Sequence, residues 1–134
     1  GLMGSKVNSM IESSKYSEYD LIDTLLNKDA TGFLKVSSYL REIDTSLSYI
    51  IFLVNQELEK IYSLIKPTAS KPYIPSFLKL KYTSASKKYT LDEILFLLKN
   101  IASIDIKSKY MSKKSNPWVS FNSLFHNLMS KRSE

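Results

Sequence analysis

The sequence predicts a single compact all-α domain of about five to seven helices, on three observations. Apolar residues recur at helical spacing along almost the whole chain. Only three glycines and four prolines are available to interrupt it. Its 134 residues are enough to bury one helical core without covalent staples.

The first helix is predicted over Tyr16 to Asn27, with Tyr19, Ile22 (beside Leu21), Leu25 and Leu26 as its apolar face. Asp29 is a candidate N-cap for a second helix carrying Phe33, Leu34, Val36, Tyr39, Leu40 and Ile43. Asp44 or Thr45 should then cap a long helix that reaches about Lys66. Its stripe is Leu47, Ile50, Ile51, Val54, Leu58, Ile61 and Ile65, the spacing of a core-facing helix. Pro67 should stop it, because proline cannot continue the hydrogen-bond ladder.

Residues 67–75 hold three prolines and form the clearest break in the chain. Pro75 can open a helix through Phe77, Leu78 and Leu80, which should end in the polar stretch from Thr83 to Lys88. Thr90-Leu91-Asp92-Glu93 is a capping-box pattern, in which the threonine hydroxyl and the glutamate carboxylate each satisfy a free backbone N–H. The helix it opens should reach about Tyr110, with Leu91, Ile94, Leu95, Leu98 and Ile101 as one stripe. Phe96, Leu97 and Ile104 widen that stripe, so this helix is central in the core or covered in part by another subunit. After a short basic loop at Met111 to Ser115, Asn116-Pro117 supplies an N-cap and a proline suited to the first turn. Trp118, Phe121, Phe125 and Leu128 then line one side of a last helix, and Ser130 to Glu134 should fray.

Composition narrows the chemistry. The chain has no cysteine, which excludes disulfides, thiolate zinc sites and cysteine nucleophiles. No apolar run approaches the ~20 residues of a membrane span. Gly1-Leu2-Met3-Gly4-Ser5 resembles a cloning remnant more than a targeting signal, which would make the chain a piece of something longer. With glycine only at Gly1, Gly4 and Gly32, no phosphate-binding loop can form. His126 lacks metal-binding companions, and the pairs Glu57/Glu59 and Asp92/Glu93 are explained by ion pairing and capping. No catalytic, cofactor-binding or metal-binding residues are expected.

What remains is binding. Residues 1–66 carry seven Lys/Arg against nine Asp/Glu, a balance of −2, whereas residues 67–134 carry twelve against four, a balance of +8. Lys79, Lys81, Lys87 and Lys88 form one basic cluster; Lys107, Lys109, Lys113 and Lys114 form another. Tyr82, Tyr89 and Tyr110 are interleaved with them. Lysine neutralises phosphate and tyrosine stacks on bases, although both also populate ordinary helix ends. Two readings stay open on the residues alone: an assembly domain with apolar helix faces, and a free-standing helical nucleic-acid-binding module built on the basic second half.

Over Tyr16 to Met129 the order of segments resembles the C-terminal part of the delta subunit of bacterial DNA polymerase III clamp loaders. Tyr19-Asp20-Leu21-Ile22-Asp23-Thr24-Leu25-Leu26 is similar to that family's "phe-x-leu-x-asp-x-leu-leu" segment, and Phe33 to Leu40 to the helix that follows. Asn55-Gln56-Glu57-Leu58, Tyr89-Thr90-Leu91-Asp92-Glu93-Ile94-Leu95, Ile104-Asp105-Ile106-Lys107 and Asn116-Pro117-Trp118 continue it in order. The basic loop at 111–115 departs from the glycine found in many relatives.

The resemblance implies residues 16–134 as a collar-like oligomerisation domain, with 1–15 as remnant and the tail of a preceding lid domain. It implies a cytoplasmic, nucleoid-associated replisome component that assembles with gamma/tau and delta-prime subunits. Together they place the sliding clamp on primed DNA within the DNA polymerase III holoenzyme, a DNA-directed DNA polymerase. Delta itself lacks ATPase activity in that picture, and it grips the clamp through an N-terminal domain this chain does not contain. The resemblance also makes Tyr110, with Lys107, Lys109, Lys113 and Lys114, a candidate contact for the primer–template junction. Trp118, Phe121 and Phe125 of the last helix are candidate subunit-interface residues.

Overall fold

The structure, a computed structural model, describes residues 15–66, 70–110 and 116–131. Among them are six α-helices and no strand: α1 (Glu18–Leu26), α2 (Ala30–Glu42), α3 (Leu47–Ile65), α4 (Lys79–Ser86), α5 (Leu91–Tyr110) and α6 (Pro117–Ser130). A single 3-10 turn, Ser76–Leu78, leads into α4. The long helices α3 and α5 pack on each other. Helix α6 lies against both α5 and α2, α1 against α2, and α4 against α3 and α1. One buried apolar cluster runs through all six, so the chain is a single all-α domain as its periodicity predicts.

The helix starts follow local chemistry. The Asp29 carboxylate accepts from the Gly32 N–H at 3.0 Å, fixing the first turn of α2. At α5 the reciprocal box is present: Thr90 N–H donates to Glu93 Oε1 at 2.8 Å, and Glu93 N–H donates to Thr90 Oγ1 at 3.1 Å. Asn116 Oδ1 accepts from the Trp118 N–H at 3.2 Å, with Pro117 in the first turn of α6.

The start of α3 differs from expectation. Its N-cap is Ser46, whose hydroxyl accepts from the Tyr49 N–H; Asp44 instead ends α2. There it takes φ 62°, Thr45 N–H bonds the Leu40 carbonyl at 3.0 Å and Asp44 N–H bonds that of Arg41 at 3.1 Å. The end of α1 repeats this: Lys28 takes φ 53°, Asp29 N–H bonds the Thr24 carbonyl at 2.9 Å and Lys28 N–H that of Leu25 at 3.1 Å. Both are Schellman stops, which normally use glycine because a Cβ disfavours the left-handed conformation.

The α3 stripe is buried as predicted from Leu47 to Ile61, with Ile65 half-buried. Elsewhere predicted faces turn in part: Leu34 of α2, Ile43 at its C-cap and Leu95 of α5 are exposed. In α1 the buried residues are Leu21, Leu25 and Leu26, while Tyr19 points outward. In the 76–86 segment Tyr82 and Ala85 are buried and Leu78 half-buried, whereas Phe77 and Leu80 are 83% and 86% exposed. Helix α3 ends at Ile65 with Lys66 as its C-cap, close to the expected end, and Ser130 closes α6 rather than fraying. Pro67, the basic loop at 111–115, residues 132–134 and residues 1–14 lie outside the described residues.

Candidate functional site

The residues singled out for chemistry separate into groups with different fates. In the last helix, Phe121 and Phe125 are fully buried and belong to the core, not to a subunit interface. Phe33 of α2 stacks on Phe125 with ring centroids 4.8 Å apart, Phe121 lies 4.8 Å from Phe125, and Trp118 closes the group edge-on at 6.0 Å from Phe121. Stacked and edge-to-face rings at these distances add to the burial energy. Of the three candidate interface residues only Trp118 keeps partial exposure. His126 is half-buried on the same helix.

The tyrosines of the first basic cluster are also structural. The Tyr82 hydroxyl donates to the Glu57 carboxylate, whose other oxygen accepts from Lys60 at 3.3 Å. Lys60 in turn lies 5.2 Å from the Tyr82 ring centroid. The Tyr89 hydroxyl donates to the Leu25 carbonyl at 2.5 Å. Lys28 lies over the Tyr89 ring and reaches both the Lys88 carbonyl at 3.1 Å and Glu93 at 3.4 Å. Burial pushes both phenols above their ordinary range, reinforced at Tyr82 by the Glu57 hydrogen bond and charge and the Asp23 charge, and at Tyr89 by the charge of Glu93. Neither ring is free to stack on a base. Of the lysines in this cluster, Lys79, Lys81 and Lys87 are exposed, Lys88 is half-buried, and Lys81 pairs with Asp23 at 2.5 Å.

The end of α5 keeps the features the sequence singled out. Tyr110 is 83% exposed, Lys107 and Lys109 are exposed, and Lys109 pairs with Asp105 at 3.1 Å. Lys113 and Lys114 lie outside the described residues.

A feature the sequence only hinted at is the outer face of α5. Its inner face, Ile94, Leu97, Ile101 and Ile104, is buried, which accounts for one side of the wide apolar stripe. Leu95, Ala102 and Ile106, spaced by seven and four along one line of the helix, are exposed, as is Phe96 beside them. Phe52 of α3 is exposed too, and with Asn55, Ala102, Asp105 and Lys109 it lines a groove of about 350 Å³ between α3 and α5. Ser48 and Asp105, 3.4 Å apart, tie the start of α3 to the end of α5 across one end of it. Of the residues that widen the predicted stripe, Leu97 and Ile104 are core and Phe96 is exposed, while Leu95 of the stripe itself turns outward. Helix-period counting detects such width but not which side of it meets the core.

Among the described residues no group of three or more His, Asp or Glu side chains is placed to hold a metal ion. No described helix is long and apolar enough to cross a membrane. Comparison with protein-family models, curated proteins and solved structures finds no match.

Proposed function

We propose that this chain is a non-catalytic assembly domain of the clamp-loader delta type, a helical collar that joins gamma/tau and delta-prime subunits in placing the sliding clamp on primed DNA. The observation that carries the reading is the outer face of α5. A helix that buries Ile94, Leu97, Ile101 and Ile104 on one side still presents Leu95, Phe96, Ala102 and Ile106 to solvent on the other. Exposed large apolar side chains grouped on one helix face, here around the exposed Lys99, mark surfaces that other proteins cover. The exposed Phe52 extends the apolar character onto α3. Ile106 and Phe96 take over the interface role from Phe121 and Phe125, which the core consumes.

In this reading Tyr110, carried at the end of the same helix with Lys107 and Lys109, is available to meet the primer–template junction in the assembled loader. A stack of its ring on the terminal base pair would contribute about 1–3 kcal/mol. The sliding clamp itself would be gripped by parts of the subunit outside this chain.

The test is size-exclusion chromatography with light scattering on the chain alone and mixed with the C-terminal domains of gamma/tau and delta-prime. A stable mixed complex that Phe96→Asp or Ile106→Asp abolishes, with the helical circular-dichroism spectrum unchanged, supports the assembly role. A monomer indifferent to both partners removes it. Tyr110→Ala in the assembled loader tests the second element: unchanged affinity for primed DNA would end the stacking role.

A further inference from the structure

A second surface lies away from α5 and takes no part in the assembly reading. From Ile61 to Leu91 the chain has no aspartate or glutamate and six lysines: Lys66, Lys71, Lys79, Lys81, Lys87 and Lys88. The fold gathers part of this stretch around a cleft of about 430 Å³, where the end of α3, the segment before the 3-10 turn and the outer side of α4 meet. Its walls are Leu64, Lys71, Tyr73, Ile74, Lys79 and Thr83. Tyr73 is 75% exposed, and Lys71 and Lys79 are exposed with no ion-pair partner among the described residues. The Thr83 backbone carbonyl accepts from Ser86, and its side-chain hydroxyl has no bond among the described residues.

We propose that this cleft binds one nucleotide of a single-stranded nucleic acid, with the base against Tyr73 and the phosphate between Lys71 and Lys79. The volume falls in the lower part of the ~300–1,000 Å³ range of small-molecule sites, and the lining divides as a nucleotide does. Leu64 and Ile74 offer an apolar floor for a base, an exposed aromatic ring offers the stacking platform, and two unpaired cations with a hydroxyl suit a phosphate. A paired base inside a duplex has no face to give to Tyr73, so the single strand is the ligand. Phe77, between Ile74 and Lys79 in the chain and 83% exposed, offers a second aromatic platform. An anionic lipid surface is a poorer match, because a bilayer takes a convex apolar tip with cations around it, and here the cations line a concavity.

The experiment is fluorescence anisotropy of a labelled oligo(dT) with the whole chain across a salt series. Binding is expected at low salt and should weaken steeply as salt rises. Tyr73→Ala should lower affinity at least about fivefold. Lys71→Gln and Lys79→Gln should each reduce the slope of log K against log salt by about 0.7. Tyr19→Ala removes an equally exposed tyrosine in acidic surroundings and should change nothing. All these side chains are exposed, so unchanged thermal melts accompany each variant. The proposal is overturned if the oligonucleotide does not bind, or if binding survives Tyr73→Ala and Lys71→Gln. Loss of binding with Tyr110→Ala instead would assign the contact to the end of α5 and also overturn it. Co-sedimentation with phosphatidylserine vesicles, lost in Tyr73→Ala while oligo(dT) is ignored, would replace the strand by a lipid surface. None of these readouts involves the gamma/tau or delta-prime domains, so the site and the assembly role can fail separately.

Discussion

Helix α6 and helix α4 are both anchored by aromatic side chains, and by opposite means. Helix α6 buries whole rings: Phe121 and Phe125 meet Phe33 ring to ring. Helix α4 and the turn after it bury tyrosines whose hydroxyls are tied to fixed oxygens, Tyr82 to Glu57 and Tyr89 to the Leu25 carbonyl. The first kind of anchor resists through area and close packing. The second depends on a few directed bonds, and an eight-residue helix held this way, with the 3-10 turn before it, can leave Leu80 and Phe77 outside. One region is held by buried rings; the other is a polar clasp with an apolar outer surface.

The comparison breaks first on a pair of truncations. Phe125→Ala should cost about 3–5 kcal/mol, because it removes a fully buried ring packed on Phe33 and Phe121. Leu80→Ala, an equally apolar residue by composition, should stay within about 0.5 kcal/mol. Urea midpoints at constant m-value measure both. Similar losses at the two positions would mean that the outward face of α4 is buried after all.

The clasp makes its own prediction. Tyr89→Phe keeps the ring and removes its bond to the Leu25 carbonyl, which still accepts from the Lys28 N–H, at a cost of about 0.5–1.5 kcal/mol. The pH dependence carries the sign. Both phenols titrate above their ordinary range in the folded chain, so the native state holds these protons more tightly than the unfolded chain does. Their contribution is full below the unfolded phenol value of about 10 and is lost progressively as pH rises beyond it. The urea midpoint should therefore fall above about pH 10, and less steeply in a Tyr82→Phe/Tyr89→Phe variant. An identical alkaline slope in the double variant would remove the phenols from the account.

These two regions also mark what the sequence could and could not disclose. Helix α3 was legible because its seven apolar residues fit one face of period 3.6, and the boundaries of α5 because Thr90 and Glu93 spell out a capping box. Helix α4 was misread for a physical reason: Phe77 and Leu80 outrank Tyr82 and Ala85 in hydrophobicity, so a pattern scored by apolar content selects the outer face. The inner face is chosen by partners distant in sequence, such as Glu57 for Tyr82, which no local window contains. The same limit applied to Phe121 and Phe125, since core and subunit interface ask for the same residues at the same spacing. Tyr110 is exposed as a base-stacking role requires; Tyr82 and Tyr89, equally well placed among lysines in sequence, are not.

A smaller effect separates capping from clasping. Thr90→Ala removes one half of the capping box, at about 1 kcal/mol. Glu93→Ala removes the other half together with the ion pair to Lys28, whose side chain is mostly buried. Glu93→Ala should thus cost more than Thr90→Ala, and the excess should shrink when Lys28 is also replaced by methionine. A constant excess in both backgrounds would show that Lys28 and Glu93 are uncoupled.

The smallest effect, and the one of opposite sign, concerns the two left-handed residues that stop α1 and α2. Asp44 is exposed, so its Cβ carries only the conformational cost. Asp44→Gly should stabilise by up to about 1 kcal/mol, less whatever entropy glycine adds to the unfolded chain. Lys28 sits in the same backbone conformation, yet its side chain closes the clasp through Glu93, the Lys88 carbonyl and the Tyr89 ring. Lys28→Gly relieves the same strain and loses all three contacts, so it should destabilise. Thermal melts of the two variants decide the matter: opposite shifts mean that strain is tolerated at position 28 for what the lysine holds together, and parallel gains mean that the clasp contributes nothing measurable.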